Sequence, residues 1–510
     1  ASAARAETTA GRLLAAGEVA AERGWFAAAR DHWRDAARDA ATSGDTAIGQ
    51  RVAARLARLD AVAQDADRTA EDRRRHAAAA WARTDWSVAW RASAVAADCG
   101  GDAAIAPVSI AGGLVIWNTG RDVHAVALSD GRPPWHPGDV RDTCVFPRGV
   151  SGRSAGPRPA CALVPGMVSS VARRAYAVID QSRDGHMLAC LDISDAAEGR
   201  LAWSVFAADV PCGLSTRTAT FDGPPVVDHE TCAVVIRADD TRGSLALAVF
   251  DSRDGSLLWV RGLGSAVGVD GSDAARGRRQ PCLAEDRIVV ATPAGAVHAF
   301  DRSGASAWNV PTPAAAGRSV GDACVSPAIV AGGLLLVAAG DGSAVIAIEP
   351  RRGGLAWRWQ PRDARVTAVL GGCCGGMVIA TGSGTAPKTL RRIALEDGRE
   401  TAAWTPVQAS PAGHGAIADG TVVWPVRRSG TAASDALEVE VLDAVTLERR
   451  REPIDCGPAP VEAGGVATGG PADVQVAVSG HSLVIAGGTL TCWRPGAARE
   501  HLPATDTSSR

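Results

Sequence analysis

A short apolar run that leads through a turn to a tryptophan recurs along most of the chain. The clearest copy, "GAVHAFDRSGASAW" at 295–308, passes from a strand-like run through Asp301 and Gly304 to Trp308. Residues 123–135, "VHAVALSDGRPPW", repeat the same order. Short runs rich in strand formers and bounded by Gly and Asp predict strands joined by tight turns.

The spacing of the repeat predicts the architecture. The tryptophans that end its copies are separated by 68, 56, 49, 49 and 47 residues, and they are Trp135, Trp203, Trp259, Trp308, Trp357 and Trp404. A period near 50 residues is typical of a propeller or a solenoid. Two further units without this tryptophan cover 421–448 and 481–495. Eight units over 104–495 average 49 residues each, which favours eight repeats over seven.

The first 83 residues have a different texture, rich in Ala, Arg, Asp and Glu and poor in strand formers, and they predict helices. Within them "AAERGWFAAARDHWRDA" resembles a tetratricopeptide-type helix pair. The resemblance places Gly24 at the turn, Phe26 and Trp33 in the seam, and Ala29 and Ala36 where the helices approach closely. A single such unit cannot bury both faces, so we expect it to pack on the propeller or on another protein.

The order "G-x-V-H-A-F-D…G-x-x-x-W" resembles the repeat of quinoprotein-like (PQQ-repeat) eight-bladed propellers. That group contains pyrroloquinoline-quinone alcohol dehydrogenases and an outer-membrane assembly lipoprotein. The resemblance covers about three quarters of the chain. It implies a mainly β fold, an eight-bladed β-propeller with a small N-terminal α-helical extension, in which each repeat tryptophan sits on a fourth strand and docks between blades. The repeat describes blade packing, so it says little about chemistry.

The ring of blades needs a closing strand, because an open propeller would expose a sheet edge. The last unit runs into a polar tail, 496–510, without a fourth strand. Residues 84–92, "TDWSVAWRA", alternate apolar and polar positions. We therefore predict that 85–91 forms the outer strand of the blade containing 481–493, with Trp90 in the docking role. The predicted domains are 1–83 and 84–495.

Composition excludes several classes of partner. The 510 residues carry a formal net charge of −3 with the charges scattered, which argues against nucleic acid or an anionic membrane as a partner. The longest uncharged run, 323–340, is cut by Pro327 and Gly332 into two strand-sized pieces, so no transmembrane segment is expected. The opening "ASAARAETTA" fits a mature chain after signal cleavage, although a trimmed chain would look the same.

The twelve cysteines contain no C-x-x-C pair, which leaves disulfides or buried thiols. Their even number modestly favours an oxidising compartment, so we expect a periplasmic or cell-surface location. Cys144 and Cys161 bracket "CVFPRGVSGRSAGPRPAC", which is too rich in Gly, Pro and Arg to predict a strand. We expect a long loop between the first two blades, with these two cysteines forming a disulfide at its base worth on the order of 3 kcal/mol.

The motif "GGCCGG" at 371–376 is the sharpest candidate for chemistry. In methanol-dehydrogenase-like quinoproteins a vicinal disulfide lies against the cofactor, so the resemblance makes Cys373 and Cys374 candidate cofactor-binding residues. The calcium ligands and the Asp base of those enzymes cannot be matched to residues here. No G-x-S-x-G, H-E-x-x-H or P-loop occurs, and we assign no catalytic or metal-binding residues. His124 and His298 are expected to pack within the blades or line their rim.

The sequence is compatible with three functions. The leading hypothesis is a non-enzymatic scaffold that binds other protein subunits of a larger assembly, including peripheral association with a membrane complex, and that needs no cofactor. The first alternative is a periplasmic alcohol dehydrogenase that uses pyrroloquinoline quinone with calcium. The second is a binder of a small molecule or glycan at the mouth of the central channel.

Overall fold

The structure is a computed structural model that describes most of the chain. The described residues are 8–22, 26–83, 85–93, 108–118, 120, 122–135, 143–146, 169–171, 173–180, 185–195, 197–212, 219–238, 244–265, 280–292, 295–313, 327–362, 364–382, 387–428, 436–458, 474–479, 482–487 and 489–496.

The described chain begins with three α-helices, α1 (Thr9–Glu22), α2 (Phe26–Ser43) and α3 (Thr46–Trp81). The cluster between them contains Leu14 of α1, Trp33 of α2 and Val52 of α3. The indole ring of Trp33 lies directly against Gly17, so any larger residue at position 17 would collide with the ring. The Nε1–H of Trp33 donates to the Leu14 carbonyl at 3.2 Å. A small residue in α1 therefore lets the bulky side chain of α2 fill the seam.

The details of the helix pair match the sequence expectation only in part. Ala29, Trp33 and Ala36 are buried between the helices. The placement of Phe26 in the seam was wrong, because its side chain is 47% exposed. Phe26 is the first residue of α2, and the buried positions of this helix begin only at Ala28 and Ala29. Gly24 lies outside the described residues.

Eight sheets follow, each forming one blade of a propeller. After the helices, β1 (Trp86–Ser93) belongs to the last blade. Blade 1 contains β2 (Ser109–Ala111), β3 (Leu114–Asn118), β4 (Val123–Ala127) and β5 (Cys144–Phe146). Blade 2 contains β6 (Ser169–Val171), β7 (Arg174–Asp180), β8 (His186–Asp192) and β9 (Arg200–Phe206), followed by a 3-10 turn (Ala207–Asp209). Blade 3 contains β10 (Thr220–Phe221), β11 (Val226–Val227), β12 (Thr231–Arg237), β13 (Ser244–Asp251) and β14 (Leu257–Ser265).

The middle blades are four-stranded. Blade 4 contains β15 (Cys282–Ala284), β16 (Arg287–Thr292), β17 (Ala296–Asp301) and β18 (Ser306–Pro311). Blade 5 contains β19 (Ile329–Ala331), β20 (Leu334–Ala338), β21 (Val345–Ile348) and β22 (Leu355–Trp359). Blade 6 contains β23 (Arg365–Cys373), β24 (Gly376–Gly382), β25 (Pro387–Ala394) and β26 (Glu400–Trp404).

The last two blades carry short extra strands. Blade 7 contains β27 (Ala409–Pro411), β29 (Ala416–Ala418), β30 (Thr421–Arg428), β31 (Ala436–Asp443) and β32 (Ile454–Pro458). Blade 8 contains β28 (Gly413–His414), β33 (Val474–Ser479), β34 (Ser482–Gly487), β35 (Thr489–Pro495) and β1. The short β28 pairs in parallel with β33, whereas the main four-stranded ladder of every blade is antiparallel.

The antiparallel order within each blade defines two faces of the propeller. Turns between the first and second strands and between the third and fourth strands lie on one face. We call it the helix face, because α2 and α3 contact the propeller there. The remaining connections lie on the opposite face. First strands of neighbouring blades contact one another around the central axis, as β19 contacts both β15 and β23.

The chain closes the ring between its two ends. β1 pairs antiparallel with β35 from Trp86 opposite Pro495 to Ser93 opposite Thr489, as the outer strand of blade 8. Arg494 fixes this blade to the next by donating to the Ser129 carbonyl of blade 1 at 3.1 Å. The pairing removes the exposed edge that the last blade would otherwise present.

The blades are joined by tryptophans that pack on the turn of the following blade. A Cβ atom on Gly255 would lie 2.6 Å from the ring of Trp203, and the turn holds φ at +75°. The Trp203 Nε1–H donates to the Ser252 carbonyl in that turn at 3.1 Å. Four other tryptophans make the same contact and hydrogen bond, with Nε1 to O distances of 2.7 to 3.0 Å, and they are Trp90, Trp259, Trp308 and Trp357.

Blade 1 departs from this arrangement. Trp135 lies in a bend before the fourth strand, and its Nε1 has no hydrogen-bond partner among the described residues. The fourth strand is instead β5, so the prediction of a loop beginning at Cys144 was wrong for residues 144–146. The reason is that Val145 is buried and, together with Trp135, packs on Gly199 of blade 2.

Blade 7 departs as well. Its turn has Leu447, with φ of +56°, at the position that glycine holds in the preceding blades. Trp404 shares a cluster with Leu447 but is only partly buried. The left-handed backbone conformation is unfavourable for a residue with a branched side chain, so this turn carries strain that the glycine turns do not.

Replacing Trp90 by alanine should lower the free energy of unfolding by about 3–5 kcal/mol, because it removes a buried side chain. It also weakens the closure seam, the contact of the β1–β35 pair in blade 8 with blade 1. The matched variant Trp404→Ala should lose distinctly less, since that ring is partly exposed. Urea denaturation followed by circular dichroism measures both. Equal losses would contradict a special role for the seam.

Candidate functional site

Helix α2 is held on blades 4 and 5 by polar contacts on the helix face. The Ala28 backbone N–H donates to Glu285 Oε2 at 2.7 Å, and Glu285 lies in the turn between β15 and β16. Arg351, in the turn between β21 and β22, pairs with Asp31 at 3.3 Å. The same guanidinium lies 3.2 Å from Nε2 of His32. Propeller turns thus fix the first two turns of α2.

The C-terminal end of helix α3 is anchored where β1 closes the ring of blades. Trp81 stacks on Trp86 of β1 with ring centroids 4.5 Å apart. Both rings belong to a core cluster shared with blades 7 and 8, including Val423 and Leu483. Arg451 of blade 7 donates to the Arg83 carbonyl at 2.5 Å, just after the helix ends.

The central part of α3 crosses between these two anchors largely exposed to solvent. Most described side chains from 61 to 76 are exposed, and many are charged. Ion pairs along the helix support it, such as Arg75 with Glu71 at 2.6 Å. Asp60 pairs with Arg30 of α2 at 2.8 Å, and from Asp60 to Trp81 the helix spans about 30 Å. A helix that is polar on all sides is typical of a bridge between two packed regions.

A cleft of about 340 Å³ lies between α2 and the turns of blades 4 and 5. Its lining combines four arginines, three acidic residues and several apolar or small residues. They are Arg30, Arg34, Arg351, Arg352, Asp31, Glu285, Glu349, Ala284, Val330, Pro350 and Gly333. The cleft has the mixture of apolar surface and converging polar groups that small binding sites have.

Cys373 and Cys374 lie away from this cleft, at the turn between β23 and β24 of blade 6, and both are free thiols. Cys374 has φ of +52°, and its carbonyl accepts from buried Arg392 at 2.7 Å. Burial, reinforced by the neighbouring Cys374 thiol, raises the pKa of Cys373 to about 12. The thiol is therefore a poor nucleophile at neutral pH.

Among the described residues, those around the two cysteines offer no cluster of carboxylates for the calcium ion of a calcium-bound quinone. The negative charge of Asp443 helps to raise the pKa of Cys373, and this carboxylate already pairs with Arg450 at 2.7 Å. No group of three or more His, Cys, Asp or Glu side chains suited to a metal ion occurs among the described residues. A calcium ion would need several oxygen ligands at this position.

The remaining candidates of the sequence analysis are dispersed. Cys144 lies on β5, and Cys161 lies outside the described residues, so the disulfide stays a prediction. His124 is buried and stacks on Trp117 with centroids 5.2 Å apart. His298 stacks on Phe300, and burial lowers the pKa of its imidazole.

The closed ring of eight blades and the tryptophan turns define a quinoprotein-like β-propeller. The family model described as outer membrane protein assembly factor BamB matches residues 173–401 and 297–450, together more than half of the chain. The chain belongs to this family. No curated protein matches it in sequence.

Several solved structures are similar to the chain at low identity. BamB from Moraxella catarrhalis is 12% identical with a TM-score of 0.45, covering 79% of this chain and 99% of its own. The computationally designed Ika8 protein is 13% identical with a TM-score of 0.48, covering 80% and 99%. Quinohemoprotein alcohol dehydrogenase ADHIIG from Pseudomonas putida HK5 is 12% identical with a TM-score of 0.48, covering 84% and 79%. These values are too low to support an argument about function.

Sequence reasoning missed the cleft, because its walls come from distant parts of the chain. The available signals were weak: Arg30 and Arg34 share one face of α2, and Arg351 and Arg352 sit in a glycine turn. Arginine pairs in turns are common on protein surfaces, so neither signal alone predicts a site.

Mildly acidic pH should weaken the docking of α2. Burial, and then the charge of Arg351, lower the pKa of His32. Below the ordinary histidine pKa of about 6.5, the unfolded chain binds a proton that the folded chain resists. Stability is therefore retained above that pH and falls as the pH drops towards the lowered pKa. A protonated His32 also cannot accept from Arg351 and would repel it.

The thermal midpoint of the wild-type chain should consequently fall more between about pH 7.5 and 5.5 than that of His32→Gln. The variant His76→Gln, at an exposed position on α3, is the matched control and should follow the wild type. If His32→Gln shows the same fall as the wild type, the imidazole does not govern the docking of α2.

Proposed function

We propose that the protein is a non-enzymatic propeller scaffold that binds other protein subunits of a larger assembly. The observation that carries this proposal is the fixed helical frame: α2 is tied to blades 4 and 5, and α3 ends in the closure seam beside β1. The frame leaves apolar side chains in solvent, at Val19 of α1 and Phe26 of α2. Exposed apolar groups on a rigid support suit protein recognition.

Membership of the BamB family supports the same proposal. The name of the matching model describes a factor in outer-membrane protein assembly. We propose by analogy that this chain works in the periplasm or at the cell surface, in peripheral association with a membrane complex. No helix in the described part of the chain is both long and apolar enough to span a membrane.

A quinone-dependent alcohol dehydrogenase is the second candidate. The adjacent Cys373 and Cys374 favour it, since they lie in a turn flanked by glycines. The ion pair of Asp443 with Arg450 weighs against it, because it occupies a carboxylate near the two cysteines that a calcium ion would need. We therefore place it behind the scaffold proposal.

The scaffold proposal predicts that the full chain, tagged in its own host, elutes in a complex larger than itself. Substituting Val19 and Phe26 together by Asp should release it. Burial of a large apolar side chain contributes about 1.5–3 kcal/mol, so affinity should fall at least tenfold. The matched control substitutes Leu355 and Val407 by Asp, both exposed apolar residues of the propeller. Size-exclusion chromatography with mass spectrometry of the co-eluting chains measures the outcome.

Reconstitution provides the opposing measurement. The purified chain is incubated with pyrroloquinoline quinone and calcium and tested for dye reduction and for a quinone absorbance spectrum. Stoichiometric quinone binding with turnover of an alcohol would overturn the scaffold proposal. A chain that elutes alone under all conditions would also count against it.

A further inference from the structure

We infer that the cleft between α2 and blades 4 and 5 binds an acidic segment of a partner protein, in which carboxylates alternate with apolar side chains. This inference rests on the proposed scaffold function and names the chemistry of the partner. The cleft joins two parts of the molecule, the helical frame and the propeller turns, so a segment bound there would touch both.

The balance of charge in the cleft favours an anion. Two of its three acidic residues are already engaged, since Glu285 accepts from the Ala28 backbone N–H and Asp31 pairs with Arg351. Glu349 is the remaining carboxylate on the lining. Two of the four arginines are engaged as well, Arg30 with Asp60 and Arg351 with Asp31. Two guanidinium groups and one carboxylate therefore remain to meet a ligand, which favours an anion.

Two arginines are placed to bind a ligand. The Arg34 side chain is 63% exposed, and its nearest carboxylate, Asp31, lies 3.9 Å away and is shared with Arg351. Arg352 makes no ion pair within the described ranges of the chain. One comes from α2 and the other from blade 5, so they offer guanidinium groups from both walls. Guanidinium groups bind carboxylates through two parallel hydrogen bonds.

The other two arginines of the cleft stabilise the docking of the helices. Arg30 holds Asp60 of α3 at 2.8 Å, and Arg351 holds Asp31 and His32. Removing either would disturb the docking of the helices as well as the cleft. They are therefore unsuitable as tests of ligand binding.

The apolar part of the cleft explains why the ligand should be more than a bare anion. Val330 is 40% exposed although it belongs to the first strand of blade 5, and Pro350 lies on the same lining. An apolar side chain placed over Val330 would remove this surface from water. A volume of about 340 Å³ is at the small end for ligand sites and suits one or two side chains of an extended segment.

The test uses the full chain and a short fluorescein-labelled peptide of alternating glutamate and leucine. Fluorescence anisotropy should show binding that weakens as salt is added, because the contact is between charges near the surface. The variant with Arg34→Gln and Arg352→Gln should bind about tenfold more weakly, since it loses two charge-assisted contacts. The matched control, with Arg68→Gln and Arg399→Gln, removes the same charge at exposed positions outside the cleft and should bind like the wild type.

Three outcomes would overturn the inference. The first is an equal loss of affinity in the cleft variant and in the control variant. The second is equal binding of a peptide in which glutamine replaces glutamate. The third is full displacement of the peptide by inorganic phosphate at matched ionic strength, which would assign the cleft to a small anion.

Failure of this inference can be told apart from failure of the scaffold proposal. If the cleft variant binds the acidic peptide normally while the native chain still elutes in a larger complex, the scaffold stands and its partner binds elsewhere. If the native chain turns over an alcohol with bound quinone, the scaffold proposal fails whatever the peptide does.

Discussion

The packing of a tryptophan ring against the turn of the next blade is the interaction on which the propeller depends. Each blade alone has two apolar faces, and these contacts join it to its neighbour. The glycine in the turn serves twice: it allows φ near +75°, and it leaves room for the ring, as Gly255 does for Trp203. The indole N–H then bonds to a turn carbonyl, which fixes the orientation of the ring as well as its burial.

The attachment of the three helices also depends on tryptophan packing. Trp81 at the end of α3 stacks on Trp86, and β1 then carries Trp90 into its contact with blade 1. The far end of the frame is held by charged and polar contacts around Arg351. One anchor is thus apolar and insensitive to salt, while the other responds to charge. The cleft lies at the second anchor, where a ligand could alter how α2 is held.

The sequence predicted the parts of the fold that a strong local pattern encodes. The spacing of the repeat tryptophans indicated eight blades, and alternation around Trp90 indicated a strand ahead of the first blade. The three residues of β5 were missed, because Gly, Pro and Arg after Phe146 mask so short a strand. The exposure of Phe26 depends on where α2 begins, a boundary that helix periodicity does not fix. The cleft could not be predicted, since Arg34 and Arg352 meet only after folding.

Because β1 closes the ring by pairing with β35, the last blade cannot be completed until both strands have been synthesised. Residues 86–93 leave the ribosome before any blade, yet their partner β35 is the last strand of the propeller to be synthesised. During translation the first strand has no partner, while the intermediate blades can form from contacts close in sequence. The unpaired strand and the open edge of the growing propeller are then surfaces that can join another nascent chain. A chaperone that covers β1 until translation ends would therefore raise the yield of correctly closed rings.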